Sequence, residues 1–370
     1  MTQVLFALGS NGSGQLGIGH KEDVSVPKPV LLPEEECLSP QPSITAIAAG
    51  GNHTLLLTSA GTLYWAGDPS PGACGVIQPS NSTLAPQFHT VDLTSLFSPV
   101  QLIAATWEAS IVVADGGRGL YTFGLGLKGE LGLGTMIVRT PIPSLIKDFP
   151  PAGTRILDLA ASMSHAVAVL DDGSAWGWGA GRKGQLGEVP ELTAVVDAPR
   201  RIEGLGFSVM RAECGKEFTC LFGDREKGEF VVLGSDKWGI KTDAPGAEEI
   251  TGWKDVGASW GNVFVLRGDG SVLSWGRNDH GQLTPSNLPR VVQMAVGSEH
   301  VLILSEEGDV RAWGWGEHGN CGPIPNEGGG ADQKGSVIAS SKYVPEGAKI
   351  TVMGAGCATS WVGIDIPTPS

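Results

Sequence analysis

A glycine-centred phrase of about ten residues returns along the chain, and no other feature restricts the possible folds as strongly. Its late copy Trp315–Pro323 reads WGEHGNCGP. Others are Gly9–Gly17 (GSNGSGQLG), Gly124–Gly132 (GLGLKGELG), Gly179–Gly187 (GAGRKGQLG) and Gly276–Leu283 (GRNDHGQL), with weaker copies from Gly67 and Gly234. Each follows an apolar run of strand length. With Gly316 as the leading glycine of the last copy, the seven leading glycines are separated by 58, 57, 55, 55, 42 and 40 residues. Such spacing marks a repeat array whose loops vary in length.

A second phrase alternates with the first. Its fullest copy is Ile47–Leu57 (IAAGGNHTLLL): small residues, a glycine, two variable positions, a histidine and an apolar strand. Six more copies begin at Ala104, Ala160, Glu213, Gly257, Val296 and Ala355. Between the phrases lie hairpin signals at Ser59-Ala60-Gly61, Asp115-Gly116, Asp172-Gly173, Asp269-Gly270 and Glu307-Gly308, where glycine accepts the positive φ that a tight turn needs. An outer segment follows, marked by Pro27, Pro141, Pro199 and Pro289. Each unit therefore reads as a four-stranded antiparallel blade, and neighbouring blades must stack to bury their faces. The chain opens inside a first phrase at Val4 and ends after a second phrase at Trp361–Ile366, so the two ends together complete a seventh blade. The fold expected is all-β: one seven-bladed β-propeller over residues 1–370, whose last blade is closed by both termini.

Two stretches break the pattern. Residues 68–98 and 324–348 are expected as long loops, the first with a poor outer strand and a short apolar helix at Leu93–Phe97. The 55 glycines, and 11 tryptophans among 24 aromatic residues, suit an all-β repeat protein with many tight turns. A net charge of −14 argues against a nucleic-acid surface. The six cysteines form no CxxC pair, so neither a zinc site nor a disulfide framework is expected. The opening MTQVLFALG lacks the basic flank of a signal peptide. No apolar run reaches membrane-spanning length. The expected location is the cytoplasm, with nuclear entry left open.

The two phrases, with their WG…GQLG ending, resemble the regulator of chromosome condensation repeat over essentially the whole chain. Within that superfamily the chain looks most similar to the fungal killer-toxin-insensitivity branch, also described as α-tubulin suppressors. Ala7–Asp23, Gly50–Thr58, Gly297–His300, Trp313–Pro323 and Cys357–Trp361 carry that likeness. The resemblance implies an adaptor without catalysis. It would bind a small CSL-type zinc-finger protein, an electron carrier for diphthamide synthesis on elongation factor 2. The same pair would support Elongator-dependent modification of transfer-RNA wobble uridines. Zinc or iron would belong to the partner, and the propeller itself would hold no metal or cofactor.

Strand parity puts both phrases on one rim, where a rigid ring presents its loops for binding. The histidines at 53, 165 and 300 share one slot and read as structural hydrogen-bonders. Trp178, Trp275 and Trp315 read as equivalent strand-ending wedges between blades. Large side chains in the two variable positions suggest partner contacts: Trp107, Glu108, Met163, Lys216, Glu217, Trp260 and Glu299, joined on the rim by His300 and His318. For Trp107 and Trp260 two readings stand side by side, exposed anchors or lids folded over the channel mouth. No nucleophile-base pair, phosphate loop or carboxylate pair stands out, so no catalytic residue is assigned. A rival reading is guanine-nucleotide exchange on a Ran-like GTPase; the absence of a basic tail and of a clear β-wedge insertion counts against it. An ultraviolet-sensing propeller would need arginine-flanked tryptophans in successive loops, a pattern Trp107 and Trp260 do not follow.

Overall fold

The computed structural model describes residues 1–33, 42–76, 84–94, 96, 98–188, 194–323 and 335–367. Within them, seven antiparallel sheets stand as blades around a central channel. Blade 1 consists of Ile44–Ala49, His53–Thr58, Leu63–Gly67 and the two-residue outer strand His89–Thr90. Blade 2 has Leu102–Ala105, Ala109–Ala114, Gly119–Leu125 and Arg139–Leu145. Blade 3 has Ile156–Ser162, His165–Leu170, Ala175–Ala180 and Val195–Arg201. Blade 4 comprises Arg211–Cys214, Phe218–Phe222 and Phe230–Gly234. Blade 5 comprises Trp253–Ala258, Asn262–Arg267 and Val272–Gly276. Blade 6 has Val291–Val296, His300–Ser305, Asp309–Gly314 and Ser336–Ser340.

Blade 7 joins the two ends of the chain. Lys349–Ala355 and Thr359–Ile366 are completed by Thr2–Gly9 and Val24–Pro29. Register runs unbroken from Thr2↔Ile366 to Gly9↔Thr359, so the closing seam is a full-length strand pair with no free edge between the ends. Innermost strands pack against their neighbours all the way round, including the seventh against the first.

The repeat's residue choices follow from this ring. Seven innermost strands converge on one axis, where alanines such as Ala48, Ala104, Ala160, Ala258 and Ala355 leave room for the next blade. Second strands are covered on both faces by adjacent blades, and His53–Thr58, Ala109–Ala114 and His165–Leu170 are buried throughout. That is why they read as continuous apolar runs without alternation. The core therefore lies between blades. Trp178 and Trp275 fill these wedges and donate their indole N–H to the preceding loop, at Glu130 O (2.9 Å) and Ile240 O (2.9 Å).

The third such wedge is Trp313, bonded to Gln282 O at 3.0 Å, and this corrects the register expected for blade 6. WGWG offers two readings, and the chain takes the earlier one. Gly314 occupies the leading position: its φ is +109°, and a Cβ there would lie 2.5 Å from Glu299 O. Gly316 has no such backbone, and Trp315 stands in the loop beyond the strand.

Blades 4 and 5 have three strands each among the described residues, not four. In blade 4 the following segment forms a short helix, Ala247–Ile250, leading to the buried Ile250 and Trp253. The segment bearing Pro289 forms no strand. Conversely, the expected 324–348 loop contains Ser336–Ser340, the outer strand of blade 6; residues 324–334 lie outside the described ones. Of the helix expected at Leu93–Phe97, residues 95 and 97 also lie outside; between the described ones, Leu96 N–H donates to Leu93 O (2.8 Å).

Candidate functional site

Every strand rising from the channel ends in a second-phrase loop, and every third strand ends in a first-phrase loop, so both sets crowd one face. The second-phrase loops are tied to one another by backbone bonds between blades. Gly51 N–H donates to Trp107 O (2.9 Å), Trp107 to Met163 O (3.0 Å), Lys216 to Trp260 O (3.3 Å), Trp260 to Ser298 O (2.8 Å) and Ser298 to Gly356 O (3.0 Å). This partial belt fixes the rim of a channel of about 360 Å³. Main-chain bonds of this kind leave no trace in side-chain identity, which is why the sequence did not reveal them.

Trp107 and Trp260 belong to blades three apart, yet their rings meet over the channel mouth with centroids 5.9 Å apart and planes at 44°. Gly51 lies beneath Trp107, and a Cβ there would come within 2.6 Å of the indole. Of the two readings of these residues, the lid is the arrangement the chain adopts, with each ring half-buried. Met163 and Cys357 line the same mouth. Below it, Arg211 faces Asp158 (3.3 Å), Glu213 (3.0 Å) and Asp255 (3.8 Å). Burial, with two more carboxylates nearby, raises the Glu213 pKa to about 8 against the pull of Arg211.

Beside the lid, a cleft of about 280 Å³ opens between the loops of blades 4, 5 and 6. Trp260 and Trp238 contribute its aromatic surfaces, and Lys216, Glu217, Lys237, Arg277 and Glu299 its charges. Lys216 Nζ sits 5.1 Å above the Trp260 ring. Arg277 faces Trp238 at 5.3 Å and Trp315 at 5.5 Å, while its guanidinium pairs with Glu299 (2.6 Å) and with Asp279 (2.6 and 2.9 Å). Gln282 Nε2 donates to both carboxylates, at 3.1 and 3.2 Å. His280 stacks on Trp315 at 4.0 Å, nearly parallel. Hydrogen bonds from Arg277 and His280 hold the Asp279 carboxyl well below the usual carboxylate range. A braced arginine between aromatic faces is preorganised, so it can meet a partner with little loss of side-chain freedom.

Trp238 is the exposed member of this group, 43% accessible, and its φ of +68° is unusual for a bulky residue. It holds the fifth position of its phrase, where the other blades carry Ser13, Pro71, Lys128, Lys183, His280 and His318. A lone tryptophan in a series of polar or small residues was the signal available for it.

The structure gathers four of the sequence-derived candidates at the cleft: Lys216, Glu217, Trp260 and Glu299. Trp107 reaches it only through Trp260, and Met163 stays at the channel mouth. Glu108 lies in the blade 2 loop. His318, in the blade 6 loop that also carries Trp315, is turned to the seam with blade 7, where it is bonded to Asp23 (2.9 Å). His300 must be withdrawn as a surface contact. It is 1% exposed and its Nε2 meets Ser360 Oγ of the next blade at 2.9 Å. His53 and His165 do the same with Ser110 (3.0 Å) and Thr219 (2.9 Å). Desolvation lowers all three to a pKa of about 4, so they are neutral links between blades.

Among the described residues no group of three or more His, Cys, Asp or Glu side chains is placed to hold a metal ion. The described cysteines are free thiols, and burial pushes Cys321 up to about 12. Among the described residues no helix is long and apolar enough to cross a membrane.

The sequence model of the RCC1-like domain matches residues 4–362. An RCC1 repeat-containing protein of Schizosaccharomyces pombe is 31% identical over 375 residues, covering 98% of this chain and 99% of its own length. The secretion-regulating guanine nucleotide exchange factor of Mus musculus is 28% identical over 297 residues, 76% of this chain; the match spans 61% of that relative. Among solved structures, Prp20p of Saccharomyces cerevisiae superposes with a TM-score of 0.80 at 22% identity, covering 99% of this chain and 92% of that one. At that identity the likeness speaks for the fold alone.

Proposed function

Since the chain belongs to the RCC1-like domain family, we propose that it is a non-catalytic, protein-binding propeller that pairs with a small CSL zinc-finger electron carrier. In this reading it supports diphthamide synthesis on elongation factor 2 and Elongator-dependent modification of wobble uridines, in the cytoplasm and with access to the nucleus. The observation that carries the binding role is the cleft on the loop-bearing face. Trp238 is exposed there beside Trp260, Lys216 and the braced Arg277, the residue types on which interface energy concentrates. The choice of partner rests on the resemblance of the phrases that form this face, including WGWGEHGNCGP at its edge.

The test is a calorimetric titration of the chain with the metal-loaded carrier. A one-to-one complex is expected, weakened roughly tenfold or more by Trp238→Ala together with Lys216→Ala, with the melting temperature unchanged. No complex with the intact chain, or the same affinity in the double variant, would remove the reading.

A second reading, nucleotide exchange on a Ran-like GTPase, draws on the exchange-factor name of the Mus musculus relative. A nucleotide-release assay decides it: the adaptor reading expects no acceleration.

A further inference from the structure

We propose that blades 2 and 3 carry a second docking surface, independent of the cleft, for an acidic and apolar protein segment. The first-phrase loop of blade 2 exposes Leu127 (69%), Met136 (90%), Ile137 (44%) and Val138 (44%). These side chains form one surface because the loop folds back on itself. Gly126 N–H donates to Val138 O (2.8 Å), and Ile137 N–H to Gly134 O (3.2 Å). The loop is also tied to blade 3: Gly134 N–H donates to Asp197 O (2.9 Å), and a Cβ on Gly129 would lie 2.9 Å from Val195. Val195, itself 37% exposed, extends the apolar area across the blade boundary. Four consecutive or paired apolar side chains held open on a hydrogen-bonded loop are not accounted for by the packing of the ring, and such patches mark interaction sites.

The charge around the patch indicates what covers it. The chain has 39 acidic and 25 basic residues, yet this corner carries Lys128, Arg139, Arg182 and Lys183, all exposed. Arg182 and Lys183 stand in the blade 3 loop that begins with Gly181 N–H donating to Ala194 O (3.1 Å), next to Val195. Arg139 follows Val138 and reaches over to the Ser70 carbonyl of blade 1 (2.5 Å). Among the described residues of these two loops the carboxylates do not cancel the four cations: Glu130 is buried and accepts the Lys128 N–H (2.7 Å), Asp197 is half-buried, and only Glu188 is exposed. An apolar strip edged by cations selects a segment in which Leu, Ile or Phe alternates with Asp or Glu. An anionic bilayer would offer the same charge, but the net −14 of the chain opposes approach to such a surface.

The experiment selects short random peptides displayed on phage against the intact chain, then measures the strongest peptide by fluorescence anisotropy. The expected pool is enriched in Asp and Glu interleaved with large apolar residues. Affinity should fall roughly tenfold or more both in Met136→Asp/Ile137→Asp and in Lys128→Glu/Lys183→Glu, and should weaken with added salt. These side chains are exposed, so the variants should keep the parent melting temperature, and Trp238→Ala should bind the peptide as the parent does. That last arm separates this surface from the cleft. A pool without acidic enrichment, or binding indifferent to both double variants, overturns the proposal. So does patch-dependent sedimentation with phosphatidylserine vesicles in place of peptide binding, or a dimer of the intact chain broken by Met136→Asp/Ile137→Asp.

Discussion

Protonating the buried histidines should unfold the ring from its blade junctions, and His300 allows the effect to be isolated. Ser360 Oγ donates its single proton to Asn320 O (2.8 Å), so at His300 it can only accept, and the Nε2–H tautomer follows. Protonation would add a proton at Nδ1, which is buried without a partner. Desolvation by burial, offset only in part by the Thr359 backbone, brings the folded pKa to about 4, against 6.5 for the free side chain. A depressed folded value means the stabilising contribution is present above 6.5 and is lost as pH falls toward 4. Between about pH 7.5 and about pH 5, each such histidine should lose about 2 kcal/mol. Glu213 works in the opposite direction, because its folded pKa of about 8 makes it gain stability over the same interval. The whole-protein profile is therefore a sum, and a difference is needed. His300→Asn supplies it, since the same slot in blade 5 naturally holds Asn262. Urea denaturation at the two pH values should show the variant losing about 2 kcal/mol less than the parent on acidification, whatever its stability at neutral pH. Equal losses in both proteins would mean that His300 is not held neutral at the junction, and the reasoning would fail.

Other outcomes test the ring itself. Gly314→Ala should destabilise by about 2 kcal/mol or more, because a Cβ meets a backbone carbonyl at positive φ. Gly316→Ala should cost less, because its φ is not positive and its Cβ would press on the Cys321 side chain (2.9 Å) and not on a carbonyl; the reverse order by thermal melts would restore the later register. Joining Ile366 to Thr2 through a short linker and opening the chain at Asp269-Gly270 should leave the fold intact, since the ends are already strand partners; a permutant lacking a cooperative melt contradicts the seam. Trp178→Phe keeps the ring but removes the bond to Glu130 O, so a loss of about 1 kcal/mol is expected beyond the change in buried area, read from the shift in denaturation midpoint.

How far the sequence reaches can be seen residue by residue. Strand order, hairpins and closure were legible because they depend on period and backbone conformation: Asp-Gly at the lower turns, glycine at positive φ after each third strand, and apolar triplets wherever a strand is covered on both faces. The split of blade 7 between the ends followed from counting phrases. Blade 6 shows the limit, for Trp-Gly-Trp-Gly satisfies the pattern in two registers, and only the carbonyl of Glu299 against Gly314 selects one. The missing outer strands of blades 4 and 5 were hidden for a related reason, since a proline-marked segment at an edge can pair or leave with little change in local composition.

At the candidate site the balance is reversed. Lys216, Glu217, Trp260 and Glu299 could be placed on the loop-bearing face, because strand parity decides the face. Which of them meet was decided elsewhere: the channel is narrow enough for Trp107 and Trp260 to touch across it, and Arg277 comes between Trp238 and Trp315 from three separate blades. His300 looked available by its loop position and is buried by the strand of the next blade. Local backbone preference and hydrophobic period act over a few residues and are written in the chain, so the sequence alone determined that a closed seven-bladed ring forms. Contacts between loops of different blades depend on the radius and stagger of that ring, so only the tertiary structure decided which side chains make the cleft.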